Sequence, residues 1–81
     1  MNSSLKLQPQ SPGICRVLTG AGVHVGNLKL IGGVWKFKAI GYNHAGQVVP
    51  GGGPLTEKHN VTFAALDEAQ VSAKLAVNRV F

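Results

Sequence analysis

The feature that most constrains the fold of this chain is a glycine pair within an alternating run, NLKLIGGVWKFKAIGY, at residues 27–42. Gly32 and Gly33 can both adopt the positive φ angles that a two-residue hairpin turn requires, and the runs on either side alternate as strands do. The turn therefore predicts an antiparallel hairpin with a defined register. The expected pairs are Ile31 with Val34, Leu30 with Trp35, Lys29 with Lys36, and Leu28 with Phe37.

This register divides the side chains of the hairpin between an apolar face and a basic face, because successive side chains of a strand point to opposite sides. The apolar face, which we expect to cover the core, consists of Leu28, Leu30, Trp35, Phe37 and Ala39. The basic face consists of Lys29, Lys36, Lys38 and Tyr42, together with Ile31, Val34 and Ile40. The sequence thus predicts that Trp35 and Phe37 are buried and that Lys36 and Lys38 are exposed.

Shorter runs around the hairpin predict further strands. Residues 14–18, ICRVL, are rich in β-forming side chains, and residues 60–64, NVTFA, place Val61 and Phe63 on one side of a strand. After a turn around Gly46 we expect residues 47–49 to return as a short strand. Pro50 should end that strand, because proline cannot donate to a ladder.

The N-terminal residues 1–13 are polar, contain two prolines and show no lasting periodicity. They predict a mobile N-terminal tail. Residues 14–81 then form a single domain, because a chain of 81 residues has no room for a second one.

The C-terminal run LDEAQVSAKLAVNRV, at residues 66–80, begins like a helix. Asp67 is a good N-cap, and Gln70 stands where the second partner of a capping box belongs. Residues 70–77 also alternate as a strand would, but the capping residues favour a helix. On a helix, one stripe collects Ala69, Ala73, Ala76, Val77 and Val80, whereas Val71 and Leu75 lie nearly opposite. Either the helix is covered on two sides, or one side is exposed for a partner.

These elements together predict an α+β fold. We expect a small antiparallel β-meander of four to five strands, with one C-terminal helix packed on its apolar face.

Composition narrows the classes of function. Eight Lys and Arg against three Asp and Glu give a formal net charge of +5, which favours nucleic acid or an acidic protein as partner. The scarcity of carboxylates disfavours acid–base chemistry by a carboxylate pair. Because Cys15 is the single cysteine, an intrachain disulfide is excluded. No apolar run reaches the ~20 residues of a membrane span. The N-terminus lacks the apolar region of a signal peptide. We expect a cytoplasmic protein with no membrane partner.

Two glycine-rich segments match ligand-binding loops only in part. TGAGVHVG, at residues 19–26, has neither the glycine spacing nor the following helix of a dinucleotide fingerprint. PGGGP, at residues 50–54, lacks the Lys-Ser/Thr pair of a P-loop. We interpret the first as a bend and the second as a connector between strands, with a ligand-cradling loop as the alternative for PGGGP.

The remaining candidates for chemistry predict neither a metal site nor a cofactor. His24, His44 and His59 lack metal-ligand spacing. Cys15 lies in an apolar run, which favours a buried small side chain over a reactive thiolate. Glu57 and His59 could form an acid–base pair, but no nucleophile accompanies them, so an enzyme ranks third among the hypotheses and no catalytic residue is assigned.

The basic face is the strongest functional signal in the sequence. Lys29 and Lys36 should lie directly opposite each other, and like charges so placed are destabilising unless an anion neutralises them. The leading hypothesis is therefore a small non-enzymatic domain that binds nucleic acid or another polyanion through Lys29, Lys36, Lys38 and Tyr42. The alternative is a protein-interaction module or homodimer that uses exposed apolar side chains, on the sheet at Ile31, Val34 and Ile40 or on the helix at Val71 and Leu75.

Overall fold

The structure is a computed structural model that describes residues 5–75. These residues form an antiparallel sheet of six strands, a 3₁₀ turn (Thr56–Lys58) and a C-terminal helix, α1 (Glu68–Leu75). The strands are β1 (Leu5–Ser11), β2 (Ile14–Thr19), β3 (His24–Ile31), β4 (Val34–Tyr42), β5 (Val48–Pro50) and β6 (Thr62–Phe63). They follow the order β1-β2-β3-β4-β5, and β6 pairs with another part of β4. The predicted α+β meander with a single C-terminal helix is confirmed.

The central hairpin has the register that the glycine pair predicts. Ile31 pairs with Val34, and Lys29 pairs with Lys36. The turn residues Gly32 and Gly33 have φ values of 58° and 84°, both in the positive range that a type I′ turn needs. The local sequence of the turn therefore fixes which side chains of β3 and β4 share a face.

The N-terminal segment differs from the predicted mobile tail. Residues 5–11 form strand β1, which pairs along its length with β2. Leu5 is buried and Leu7 packs against the core, so this short run does alternate in the manner of a strand. Pro9 is tolerated because β1 is an edge strand, where the missing N–H breaks no ladder bond. Residues 1–4 of the predicted tail lie outside the described part of the chain.

The free edge of β1 lies beside α1, and two helix side chains bond to its backbone. The hydroxyl of Ser72 accepts from the N–H of Leu5 at 2.9 Å and donates to the Leu5 carbonyl at 3.2 Å. A carboxylate oxygen of Glu68 accepts from the N–H of Leu7 at 3.0 Å. On its other side, α1 reaches β6, because the Lys74 ammonium donates to the Thr62 carbonyl at 3.0 Å. The helix thus lies beside β1 and reaches β6 through the side chain of Lys74.

The helix begins as predicted, and the side that it buries is the one that carries Val71 and Leu75. The carboxylate of Asp67 accepts from the backbone N–H groups of Ala69 at 3.0 Å and Gln70 at 3.3 Å, which confirms the N-cap. Val71 and Leu75 are fully buried, so the larger side chains face the core and the alanine stripe faces outward. The predicted stripe residues Ala76, Val77 and Val80 lie outside the described residues.

The core lies between the inner face of the sheet and α1. Its members are Leu5, Cys15, Val17, Val25, Leu28, Phe37, Ala39, Leu55, Phe63, Val71 and Leu75. Phe37 is buried as predicted, whereas Trp35 is only half-buried and its partner Leu30 is exposed. Both residues sit next to the Gly32-Gly33 turn, at the end of the hairpin farthest from the helix contacts with β1.

Within residues 5–75, no helix has the length and apolar character of a membrane-spanning segment.

Candidate polyanion-binding face

One surface of the sheet faces away from the core, and we call it the outer face. It carries basic and polar side chains from four strands. Strand pairing aligns one row of residues across β1 to β4: Gln8 opposite Arg16, Arg16 opposite Asn27, and Asn27 opposite Lys38. Adjacent members of the row stand about 4.8 Å apart, the spacing between neighbouring strands. The row brings Arg16 and Lys38 to either side of one amide side chain.

A second row lies one step nearer the hairpin turn. It runs from Ile14 on β2 through Lys29 and Lys36 to Thr62 on β6. Lys29 is exposed, whereas Lys36 and Lys38 are half-buried and not fully exposed as predicted. Lys29 and Lys36 occupy directly opposed positions on the outer face. The structure therefore places the predicted residues Lys29, Lys36 and Lys38 on one surface.

Lys38 is held in place by a residue with an unusual backbone. Its ammonium donates to the Oδ1 atom of Asn60 at 2.7 Å. Asn60 has a φ of 76°, and asparagine is one of the few side chains that adopt this left-handed conformation at low cost. The Asn60 N–H also donates to the Phe37 carbonyl at 2.7 Å, which ties the Asn60 loop to the edge of β4.

Tyr42, the fourth predicted residue, belongs to a chain of hydrogen bonds with His24 and Asn27. The Tyr42 hydroxyl lies 3.2 Å from His24 Nδ1, and His24 Nε2 lies 2.9 Å from Asn27 Oδ1. Because Oδ1 can only accept, Nε2 carries the proton in this contact. Half of the Tyr42 surface remains exposed to solvent.

A β-bulge makes this hydrogen-bond chain possible. Residues three apart in a regular strand point to opposite faces, so His24 and Asn27 would not meet. The pairing of β2 with β3 shifts between Val17 and Leu18, so that Val17 pairs with Gly26 while Leu18 pairs with His24. The extra residue, Val25, turns into the core and brings His24 to the outer face.

Sequence reasoning missed Arg16, His24, Asn27 and Asn60 as members of this surface. For Arg16 a signal existed, because it lies between the core residues Cys15 and Val17 and must point away from them. Its position opposite Asn27 depends on pairing between β2 and β3, whose turn has Gly22 at a φ of 87°. The glycine-rich run of residues 19–26 offers several positions for such a turn, so the sequence does not single out this register.

Two of the three carboxylates lie away from the outer face. Asp67 caps α1, and Glu68 bonds to the outward edge of β1 on the helix side of the sheet. The third, Glu57, is exposed on the 3₁₀ turn. The outer face thus carries cations whose recorded partners, Gln8 and Asn60, are neutral amides.

The acid–base pair considered from the sequence does not assemble as a site. The Nδ1 atom of His59 accepts the backbone N–H of Ala39 at 3.0 Å and so fills a gap in the hydrogen bonding of the β4 edge. The imidazole therefore serves the sheet, while Glu57 points to solvent. No group of three or more potential metal ligands occurs within residues 5–75.

Cys15 is the buried small side chain that the sequence predicts. Its side chain is fully buried in the core, and this burial raises the pKa of the thiol above its ordinary value of 9.0. A hydrogen bond with the backbone of Gln8 acts in the opposite direction, and the charge of Glu68 adds a further increase. The neutral thiol is thus the form that the folded protein favours.

The PGGGP segment has a structural role. Gly51 and Gly53 have φ values of 78° and 87°. The backbones of Gly53 and Gly41 touch, since a Cβ added to Gly41 would lie 2.6 Å from the Gly53 nitrogen. The Gly51 N–H donates to the Ala39 carbonyl at 2.7 Å. The glycines allow the loop to lie directly on β4, which supports the interpretation as a connector between strands.

Comparisons of the chain with protein-family models, with curated proteins and with solved structures found no significant match in any of the three. Function has therefore to be inferred from the outer face itself.

Proposed function

We propose that this protein is a small non-enzymatic domain that binds nucleic acid, or another polyanion of similar charge density, through the outer face of its sheet. The contact residues are Lys29, Lys36, Lys38 and Tyr42, to which the geometry adds Arg16. The observation that carries the proposal is the placement of Arg16, Lys29, Lys36 and Lys38 on one surface of the sheet. Cations from three neighbouring strands share one surface, while Asp67 and Glu68 are engaged at the helix.

The opposed lysines favour an anionic ligand. Lys29 and Lys36 form a directly paired position of an antiparallel ladder, where Cα atoms stand about 5.5 Å apart. Like charges at this distance repel each other and destabilise the pair. A phosphate backbone would remove this repulsion and would gain entropy from the counterions that it releases.

Tyr42 supports nucleic acid over other polyanions. Its ring is half exposed at the margin of the basic surface, and its hydroxyl is anchored to His24. An anchored aromatic side chain beside cations can stack on an unpaired base. We therefore assign base stacking to Tyr42 and phosphate contacts to the lysines and Arg16.

The test is binding to labelled single-stranded DNA, duplex DNA and RNA at a series of salt concentrations. If four cations each neutralise a phosphate, the logarithm of the association constant should fall against the logarithm of salt concentration with a slope of about −3 to −4. A slope near zero, or no binding at low salt, would refute the proposal.

A charge-reversed variant locates the surface. Combining Lys29→Glu, Lys36→Glu and Lys38→Glu should abolish binding while the fold survives, because all three side chains leave the core. For a matched pair of single variants, Lys36→Glu and Lys58→Glu both reverse one half-buried lysine, but Lys58 lies on the 3₁₀ turn outside the sheet. Only Lys36→Glu should weaken binding and flatten the salt dependence. Equal effects of the two would point to net charge alone.

A protein-interaction role remains the second candidate, with a smaller surface than the sequence suggested. Ile40, Val71 and Leu75 are buried and cannot contact a partner. Ile14, Ile31 and Val34 are exposed together at the hairpin end of the outer face. If these side chains pair two copies, the mass in solution should rise with concentration, and Ile31→Ser with Val34→Ser should restore the monomer.

We further propose that the protein acts in the cytoplasm, where nucleic acid and acidic proteins are abundant and where Cys15 stays reduced in its buried position.

A further inference from the structure

We propose that the centre of the outer face is a binding site for a phosphate group, formed by Arg16, Asn27 and Lys38. This inference rests on the proposed function and makes it specific, because it assigns the anion to one amide and its two flanking cations. The shared ligand chemistry is a phosphate oxygen, which a nucleic-acid backbone, a nucleotide or inorganic phosphate can each supply.

A hydrogen bond with His24 sets the orientation of the Asn27 side-chain amide. Its Oδ1 atom accepts from His24 Nε2 at 2.9 Å, so its NH₂ group must point the other way. His24 is held in turn by the Tyr42 hydroxyl, 3.2 Å from Nδ1. The structure records no hydrogen bond from the Asn27 NH₂ group to any residue within 5–75. Two donors are therefore fixed in direction and unused.

The neighbours of Asn27 supply positive charge on both sides. Arg16 on β2 and Lys38 on β4 are its direct cross-strand partners, each about one strand spacing, roughly 4.8 Å, away. Arg16 donates from Nη1 to the Oε1 atom of Gln8 at 2.9 Å, and Lys38 donates to Oδ1 of Asn60 at 2.7 Å. Both acceptors are uncharged amides, so they leave the two cations un-neutralised. Because Gln8 and Asn60 lie on the far sides of Arg16 and Lys38 from Asn27, the two cationic side chains turn inward when they share an anion.

The resulting arrangement suits a phosphate group. A guanidinium, an amide NH₂ and an ammonium belong to one row of the sheet, and the Asn27 oxygen is turned toward His24, so the row is rich in donors. A tetrahedral oxyanion has several acceptors and can take bonds from all three side chains.

The variant Asn27→Asp tests the donor directly. The carboxylate can still accept from His24 Nε2, and it would stand between two cations, so the fold should be preserved. The NH₂ donor is replaced by a negative charge, and affinity for a short single-stranded oligonucleotide should fall about tenfold or more. Tyr42→Phe keeps the aromatic ring but removes the anchor of His24, and we expect a smaller loss of about threefold. As a matched control, Lys74→Gln removes a cation on the helix and should leave affinity unchanged.

The side-chain amide signal of Asn27 in an NMR spectrum, assigned by its absence in Asn27→Asp, reports the site itself. We expect it to shift on titration with the oligonucleotide and, at higher concentration, with inorganic phosphate, but not with chloride. If the oligonucleotide binds while this signal stays still and Asn27→Asp binds normally, the site is refuted and the proposed function stands. If only inorganic phosphate or a nucleotide shifts the signal, the site stands and nucleic-acid binding is refuted. If no phosphate compound binds, both are refuted.

Discussion

Gly26 lies directly against the ring of Phe37. A Cβ atom added to Gly26 would overlap the Cε1 and Cζ atoms of that ring and would lie 2.8 Å from the Lys38 carbonyl oxygen. The glycine is required here because β3 must let an aromatic side chain of β4 cross over its backbone. The contact belongs to the inner face of the sheet, directly behind the row that carries Asn27 and Lys38.

We expect Gly26→Ala to destabilise the protein by about 1 to 3 kcal/mol, as overpacking of a filled core does. The measurement is the free energy of unfolding in urea. Combining Gly26→Ala with Phe37→Leu should cost less than the sum of the two single changes, because the smaller side chain vacates the space. Additive effects would contradict the packing of Gly26 against this ring.

Phe37→Ala and Trp35→Ala should differ in cost. Phe37 is fully buried, so its truncation should cost about 3 to 5 kcal/mol, enough to threaten the fold of a small domain. Trp35 is only half-buried beside the exposed Leu30, and we expect its truncation to cost about 1 to 3 kcal/mol. The order of the two thermal midpoints checks this prediction, and the reverse order would contradict the burial of Phe37.

Asp67→Ala should lower the free energy of unfolding by about 0.5 to 2 kcal/mol, because two helix N–H groups lose their acceptor. Asp67→Asn is the matched control, since asparagine caps helices about as well and should retain most of the stability. The free energies of unfolding of both variants are measured in urea. An equal loss in the two would show that the charge matters and the cap does not.

Alanine substitutions in the glycine loop should follow an order set by local geometry. Gly53→Ala should be the most destabilising, because it combines a φ of 87° with overlap against the Ile40 carbonyl oxygen. Gly51→Ala meets nothing closer than 3.8 Å, so only its φ of 78° is strained, at a cost of about 1 to 2 kcal/mol. At Gly52 the nearest atom is Val49 Cγ1 at 3.1 Å, and a small shift of that side chain should suffice. Thermal midpoints measure the order, and loss of binding without loss of stability would instead make this loop a functional site.

Cys15 makes stability depend on pH in the alkaline range. Its thiol has a raised pKa in the folded protein, so above pH 9.0 the unfolded chain loses this proton more readily than the folded protein does. The contribution of Cys15 is therefore complete below pH 9.0 and declines as the pH rises further. Cys15→Ala should have a flatter dependence of unfolding free energy between about pH 8 and 10. Rapid reaction of the native thiol with a disulfide reagent at neutral pH would contradict its burial.

Local signals explain why part of the fold could be predicted from the sequence. Gly32-Gly33 sets the register of β3 and β4, and Asp67 sets the start of α1. Both act through neighbouring residues, so no distant contact is needed to interpret them. The face assignment of Lys29, Lys36 and Lys38 follows from the same turn.

The parts that were missed depend on contacts between distant residues. Strand β1 is stabilised by pairing with β2 and by side chains more than sixty residues away on α1, as the bond between Leu7 and Glu68 illustrates. The bulge at Val25 has no marker in the sequence, yet it decides that His24 meets Asn27. The sequence leaves open which side of α1 is buried, because two large side chains, Val71 and Leu75, compete with a longer stripe of mostly small ones.

The edge of β1 has a consequence for how these molecules behave next to one another. Its outward N–H groups at Leu5 and Leu7 are taken by Ser72 and Glu68, and Pro9 has none to offer. A strand of another molecule that approached this edge would find no free main-chain donor at three alternate positions, which disfavours extension of the sheet from one molecule to the next. The docked helix therefore protects this strand edge from pairing with a second molecule. Any event that detaches the helix would expose both the edge of β1 and the apolar core.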